Sequence, residues 1–99
     1  DKNKMFGDQF GIIWKEKHHK VRIRFTPEVA PYISERQWHP TQIIKEFKNG
    51  GLVLEFTTNH LNEVKDWAMS WGAGARVLAP RELVDKVRIS LYHAMKEYR

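Results

Sequence analysis

The chain of 99 residues contains no cysteine. That excludes a disulfide framework, a thiolate zinc site and a cysteine nucleophile, and it fits an intracellular setting. No apolar run approaches the roughly 20 residues that a membrane-spanning helix needs. No charged-then-apolar leader opens the chain either. A soluble, cytoplasmic domain without a membrane partner is expected.

Catalytic signatures are missing as well. Ser34, Ser70 and Ser90 stand in no Gly-x-Ser-x-Gly elbow. Gly50-Gly51 and Gly72-Ala73-Gly74 lack the Lys-Ser or Lys-Thr ending of a phosphate loop, and turn roles suffice for them. The five histidines do not fall into ligand spacing. His18 and His19 are neighbours on a strand and point to opposite faces, while His39, His60 and His93 lie in separate elements. The carboxylates are scattered over helix surfaces. A non-enzyme with no metal site and no cofactor is the expectation.

What is present suits one folded domain. The length allows a single core, and five Phe, four Trp and three Tyr supply bulky material for it. Seventeen Lys and Arg against twelve Asp and Glu give a net charge of +5, a mild attraction for polyanions or acidic partners. The start at Asp1-Lys2-Asn3-Lys4, without an initiator Met, suggests a piece excised from a longer protein.

Residues 1–17 mix charges with Met5, Phe6, Phe10, Ile12, Ile13 and Trp14, and read as a lead-in that packs its aromatics on the body. From His18 to Phe25, Val21, Ile23 and Phe25 alternate with Lys20, Arg22 and Arg24, the period of a half-buried strand. Thr26-Pro27-Glu28 reads as a helix start, and Pro31 keeps that helix short, over Pro27 to Glu35 with Val29, Ala30 and Ile33 inward. After a polar connector, Thr41 to Lys48 and Leu52 to Thr58 form two strands around Asn49-Gly50-Gly51, a hairpin signal. If the sheet is covered on one side only, Glu55 shares the face of Arg22 and Arg24. Leu61, Val64, Trp67, Ala68 and Trp71 form a helical stripe, with Gly72 ending the helix in a left-handed conformation. Ala73 to Ala79 supplies a fourth strand. Pro80 opens a last helix with an inward stripe of Leu83, Val87, Leu91, Ala94 or Met95, and Tyr98, and with a solvated basic face supported by Glu82–Lys86 pairing.

This order predicts an α+β domain, a ferredoxin-like βαββαβ with an antiparallel sheet and an added C-terminal helix. Residues 18–79 would form the body and residues 80–99 the helix. Right-handed crossovers put the first and third strands at the centre and both joining helices on one face.

Two features stand out as candidate binding chemistry. Arg22 and Arg24 share the open face of the first strand. Arg36, Trp38, His39 and Gln42 crowd the connector Glu35-Arg36-Gln37-Trp38-His39-Pro40-Thr41-Gln42. Arginine forks bind phosphate or carboxylate, and Trp or His rings stack on bases, so an anionic effector or single-stranded nucleic acid fits the set. A second subunit fits it too, because interface cores are rich in Arg and Trp. The plainer reading makes the Arg face merely solvated, with Trp38 plugging one end of the core and His39 and Gln42 satisfying backbone groups.

The run Val21-Arg22-Ile23-Arg24-Phe25, the block Glu35-Arg36-x-Trp38-His39-Pro40-Thr41-Gln42, the Gly-containing hairpin, Trp67-x-x-x-Trp71-Gly72, and Val77-Leu78-x-Pro80-x-Glu82-Leu83 together resemble the C-terminal extension (WCX) domain of bacterial WYL-domain transcriptional regulators. The resemblance covers about residues 5 to 99. It implies a non-catalytic regulatory and dimerisation domain, set beside a WYL domain and a winged helix-turn-helix domain of the same chain, helping to sense an effector and to transmit the signal. The Trp-Tyr-Leu signature of the WYL domain is absent, since Ala68-Met69 follow Trp67, so no ligand residue of that domain transfers to this chain. The alternative is an autonomous single-stranded nucleic-acid binder using its basic sheet face, and the lack of exposed aromatics on the central strands speaks against it.

Overall fold

The computed structural model describes residues 18–99, so the expected lead-in lies outside the described residues. The elements run β1 (His19–Phe25), α1 (Ala30–Ser34), β2 (Ile43–Glu46), β3 (Leu52–Thr58), α2 (Leu61–Met69), β4 (Ala75–Ala79) and α3 (Arg81–Lys96). They build one antiparallel sheet of order β2-β3-β1-β4, with β1 and β3 central, as the ferredoxin-like reading requires.

Strand alternation decides which side becomes the core. Val21, Ile23 and Phe25 of β1 and Leu52, Leu54 and Phe56 of β3 point inward and are buried. Ala30 and Ile33 from α1, then Leu61, Val64, Trp67 and Ala68 from α2, close over them, so both joining helices lie on that face. Each fully buried aliphatic side chain of this kind contributes roughly 1.5–3 kcal/mol. The rings of Phe25, Trp67 and Trp71 meet edge to face.

Turn chemistry sets the ends. The β2–β3 hairpin closes with the Gly50 N–H donating to the Phe47 carbonyl (3.0 Å) and the Phe47 N–H donating to that of Gly51 (2.8 Å). Gly50 holds φ at +97°, as a three-residue hairpin loop with a left-handed third position demands. Beyond α2, Gly72 at φ +59° turns the chain into a short 3-10 segment, Gly72–Gly74, before β4.

Several elements differ from the sequence reading. The chain turns at Thr26 through backbone bonds, its carbonyl accepting from the Val29 and Ala30 N–H groups, and α1 is regular only from Ala30. Pro31 therefore sits in the first helical turn, where its missing N–H is an orphan anyway. The second strand is half the expected length because Thr41 and Gln42 are used in the connector while Phe47 and Lys48 belong to the hairpin turn. On β4 the register shifts between Arg22 and Ile23, which leaves Leu78 as the extra residue of a bulge.

The largest correction concerns α3. Leu83 is buried and Val87 is half-buried, but Leu91, Met95 and Tyr98 are exposed. The amphipathic period continues past the point where β4 and α2 can cover it. Lys65 of α2 donates to the Ser90 hydroxyl at 3.2 Å near the limit of that cover. Arg81 pairs with Asp85 at 3.2 Å, whereas Glu82 lies 3.8 Å from His19 instead of pairing with Lys86. No helix among the described residues is long and apolar enough to cross a membrane.

Candidate functional site

The connector between α1 and β2 folds on itself, with Gln42 at its centre. Gln42 Oε1 accepts the backbone N–H of Trp38 (2.6 Å) and of His39 (3.2 Å), while its Nε2 donates to the Arg36 carbonyl at 3.1 Å. One side-chain amide thus satisfies three backbone groups that no helix or sheet partner reaches.

Trp38 enters the core from this loop and is 7% exposed. Its indole Nε1 donates to the Ile33 carbonyl at the end of α1 (2.9 Å), and its ring packs on Trp67 with centroids 4.9 Å apart. His39, 4% exposed, stacks on Phe56 at 5.4 Å. The Thr41 N–H donates to His39 Nδ1 at 3.2 Å, so that nitrogen acts as an acceptor. Thr41 Oγ1 lies 2.9 Å from the same nitrogen and accepts the Thr57 N–H at 2.9 Å, extending the β2–β3 pairing with a side chain in place of backbone. This role of Thr41 has no mark in the sequence, where it reads as the first residue of a strand.

The outer face of the sheet has a different character. Residues directly opposite in antiparallel strands share a side, so the register lays Lys45, Val53, Arg24 and Arg76 in one row across all four strands. Ile43, Glu55 and Arg22 form the next row, with Lys20 beyond. Glu55 faces Arg22 as the alternation implies. Its carboxylate lies 3.6 Å from both Arg22 Nε and Lys20 Nζ. At these exposures such pairs contribute at most about 1 kcal/mol. Arg24 pairs with no carboxylate among the described residues; its guanidinium lies 5.8 Å from the Phe47 ring centroid. Arg36, exposed on the connector, covers the Trp38 ring from outside at 5.7 Å.

The six residues singled out by sequence therefore fall into two groups. Trp38, His39 and Gln42 form an internal brace, and Arg22 and Arg24 lie on the sheet face. Arg36 is at the rim of the brace, above Trp38, so the structure does not gather all six into one pocket. Sequence reasoning missed Lys45, Phe47 and Arg76, whose positions depend on strand register.

Residues 17–95 match the WCX domain. The chain belongs to the WCX family. The match spans every described strand and ends within α3, so the brace and the basic sheet face both lie inside the WCX domain. No curated protein matches the chain. In this WCX domain, a groove of about 490 Å³ also runs between α2, β4 and α3, lined by Ala68, Val77, Val84, Val87 and Leu91 among others. Most of its lining is apolar, with Arg76 and Arg88 as its charged members, whereas the sheet face is dominated by charge.

Proposed function

We propose that the chain is a non-catalytic regulatory and dimerisation domain of a bacterial transcription factor, which helps to sense an effector and passes the signal to a separate DNA-binding domain. Membership of the WCX family over residues 17–95 carries this reading. In it, Arg22 and Arg24 face an anionic effector or a neighbouring part of the same regulator, with WYL and winged helix-turn-helix domains as the expected neighbours. Trp38 anchors the connector, Gln42 and the buried His39 hold it from within, and the exposed Arg36 supplies hydrogen-bond donors at its edge. The mechanism is a population shift, in which an effector that prefers one arrangement of the dimer biases the attached DNA-binding domains.

Two physical features support the division of labour. Among the described residues, Lys20, Arg22, Arg24, Lys45 and Arg76 share the outer sheet with Glu55 as the one carboxylate, so two copies pressed together on that side would appose like charges. The second half of α3, by contrast, exposes Ile89, Leu91, Tyr92 and Met95, and exposed apolar patches mark interaction surfaces. These features favour a reading in which α3 carries self-association and the sheet carries recognition. The single-strand-binding alternative is weakened by the outer positions of β1 and β3, which are Lys20, Arg22, Arg24, Val53, Glu55 and Thr57, with no ring among them.

Light scattering across a concentration series tests the dimerisation role. A dimer mass at high concentration is expected, retained in Arg22→Glu/Arg24→Glu. A monomer at every concentration overturns autonomous dimerisation.

A further inference from the structure

At one end of the sheet, Arg24 of β1 and Arg76 of β4 are direct cross-strand partners. Both are exposed, and neither has an ion pair or hydrogen bond to its side chain among the described residues. Two like charges held opposite each other without a carboxylate oppose pairing. Both line a cleft of about 250 Å³ with Thr26, Phe47 and the backbone of Gly51 and Gly74. The Phe47 ring, 40% exposed, stands beside the Arg24 guanidinium. Within the cleft, the Gly51 and Gly74 N–H groups are already used, donating to Asn49 Oδ1 (2.9 Å) and to the Trp71 carbonyl (3.0 Å). The Thr26 hydroxyl is not hydrogen-bonded among the described residues. Among the described residues, the free side-chain donors are thus two guanidinium forks, the Thr26 hydroxyl and the Asn49 amide nitrogen.

We propose that Arg24 and Arg76, with Thr26 and Phe47, form a binding site for the phosphate of a small phosphate monoester whose organic group packs on Phe47. The site rests on the role proposed above for Arg24 and deepens it by naming the effector's chemistry. A phosphate monoester carries close to two negative charges at neutral pH, which matches the two guanidinium charges. Its oxygens accept parallel N–H bonds from each fork. The cleft is smaller than the roughly 300–1,000 Å³ of drug-sized pockets, which suits one phosphate and a ring better than an extended ligand.

The test is an amide NMR titration of the 99-residue chain with phenyl phosphate, benzoate and a short single-stranded oligonucleotide. Saturable shifts at Arg24, Thr26, Phe47, Gly74 and Arg76 are expected with phenyl phosphate, and weaker binding of benzoate, which carries one charge. Arg76→Gln should weaken phenyl phosphate on the order of tenfold, as expected for loss of a charge-assisted hydrogen bond. Arg76→Lys, keeping charge without the fork, should fall between, and Arg88→Gln on α3 should bind like the parent. Three outcomes overturn the site: no saturable shift, shifts unchanged in Arg76→Gln, or a response to oligonucleotide alone spread across the sheet. None of these alters the mass measured by light scattering, so this site and the dimerisation role fail separately.

Discussion

Replacing Gln42 with Met keeps the length of the side chain and removes all three of its hydrogen bonds. The N–H groups of Trp38 and His39 then lose their acceptor, and the Arg36 carbonyl loses a donor. An unmade bond at a fully buried group costs about 1–3 kcal/mol. These positions are only part-buried, so water recovers a share and a total of about 2–4 kcal/mol follows. With a urea slope of about 1 kcal/mol/M for a domain of this size, the unfolding midpoint should fall by roughly 2–4 M. Gln42→Glu separates hydrogen bonding from shape. Its carboxylate still accepts both N–H groups but cannot donate to the Arg36 carbonyl, so it should cost clearly less than Gln42→Met. The reasoning fails if Gln42→Met shifts the midpoint by less than about 0.5 M, a change of about half a kcal/mol at that slope, or if the two variants are equally destabilised.

Two further outcomes use the same urea measurement. A Cβ at Gly74 would come 2.5 Å from Val29 Cγ2, so Gly74→Ala should destabilise by about 1–3 kcal/mol through overpacking. Adding Val29→Ala should recover part of that loss, a coupling that a double-mutant cycle reads directly. Leu83→Ala at the buried root of α3 should cost about 2–5 kcal/mol, whereas Met95→Glu, 64% exposed, should change stability by less than about 0.5 kcal/mol and lower the dimer fraction in light scattering.

The legible parts of this chain were those governed by short-range rules. Alternation from Val21 to Phe25 and from Leu52 to Thr58 reveals the two central strands, because one covered face forces a period of two. Asn49-Gly50 reveals the hairpin, because its left-handed position needs Gly. Helix periodicity was less informative at α3. It reports which side is apolar but not how far the rest of the body extends, so Leu91 and Met95 look identical to Leu83 in sequence and differ in exposure. In the connector, Gln42 stood out as a residue to explain, yet its partners depend on a loop closure that has no period. The opposition of Arg24 and Arg76 was invisible for another reason. It depends on the β1–β4 register, and the bulge at Leu78 shifts that register within two residues.

That difference between the two ends of α3 has a mechanical meaning. The helix is buried at Leu83, still touches α2 at Ser90 and is exposed from Leu91 onward, so a tilt at its root would act on its outer end as a lever. At 1.5 Å per residue the arm from Leu83 to Lys96, the last residue of α3, is about 20 Å, and a tilt of about 10° at the root would carry the tip about 3 Å. A displacement of that size is a little over half a helical turn at whatever surface the tip meets. A small rearrangement around β4, the strand that carries Arg76, would be magnified where the apolar side chains end.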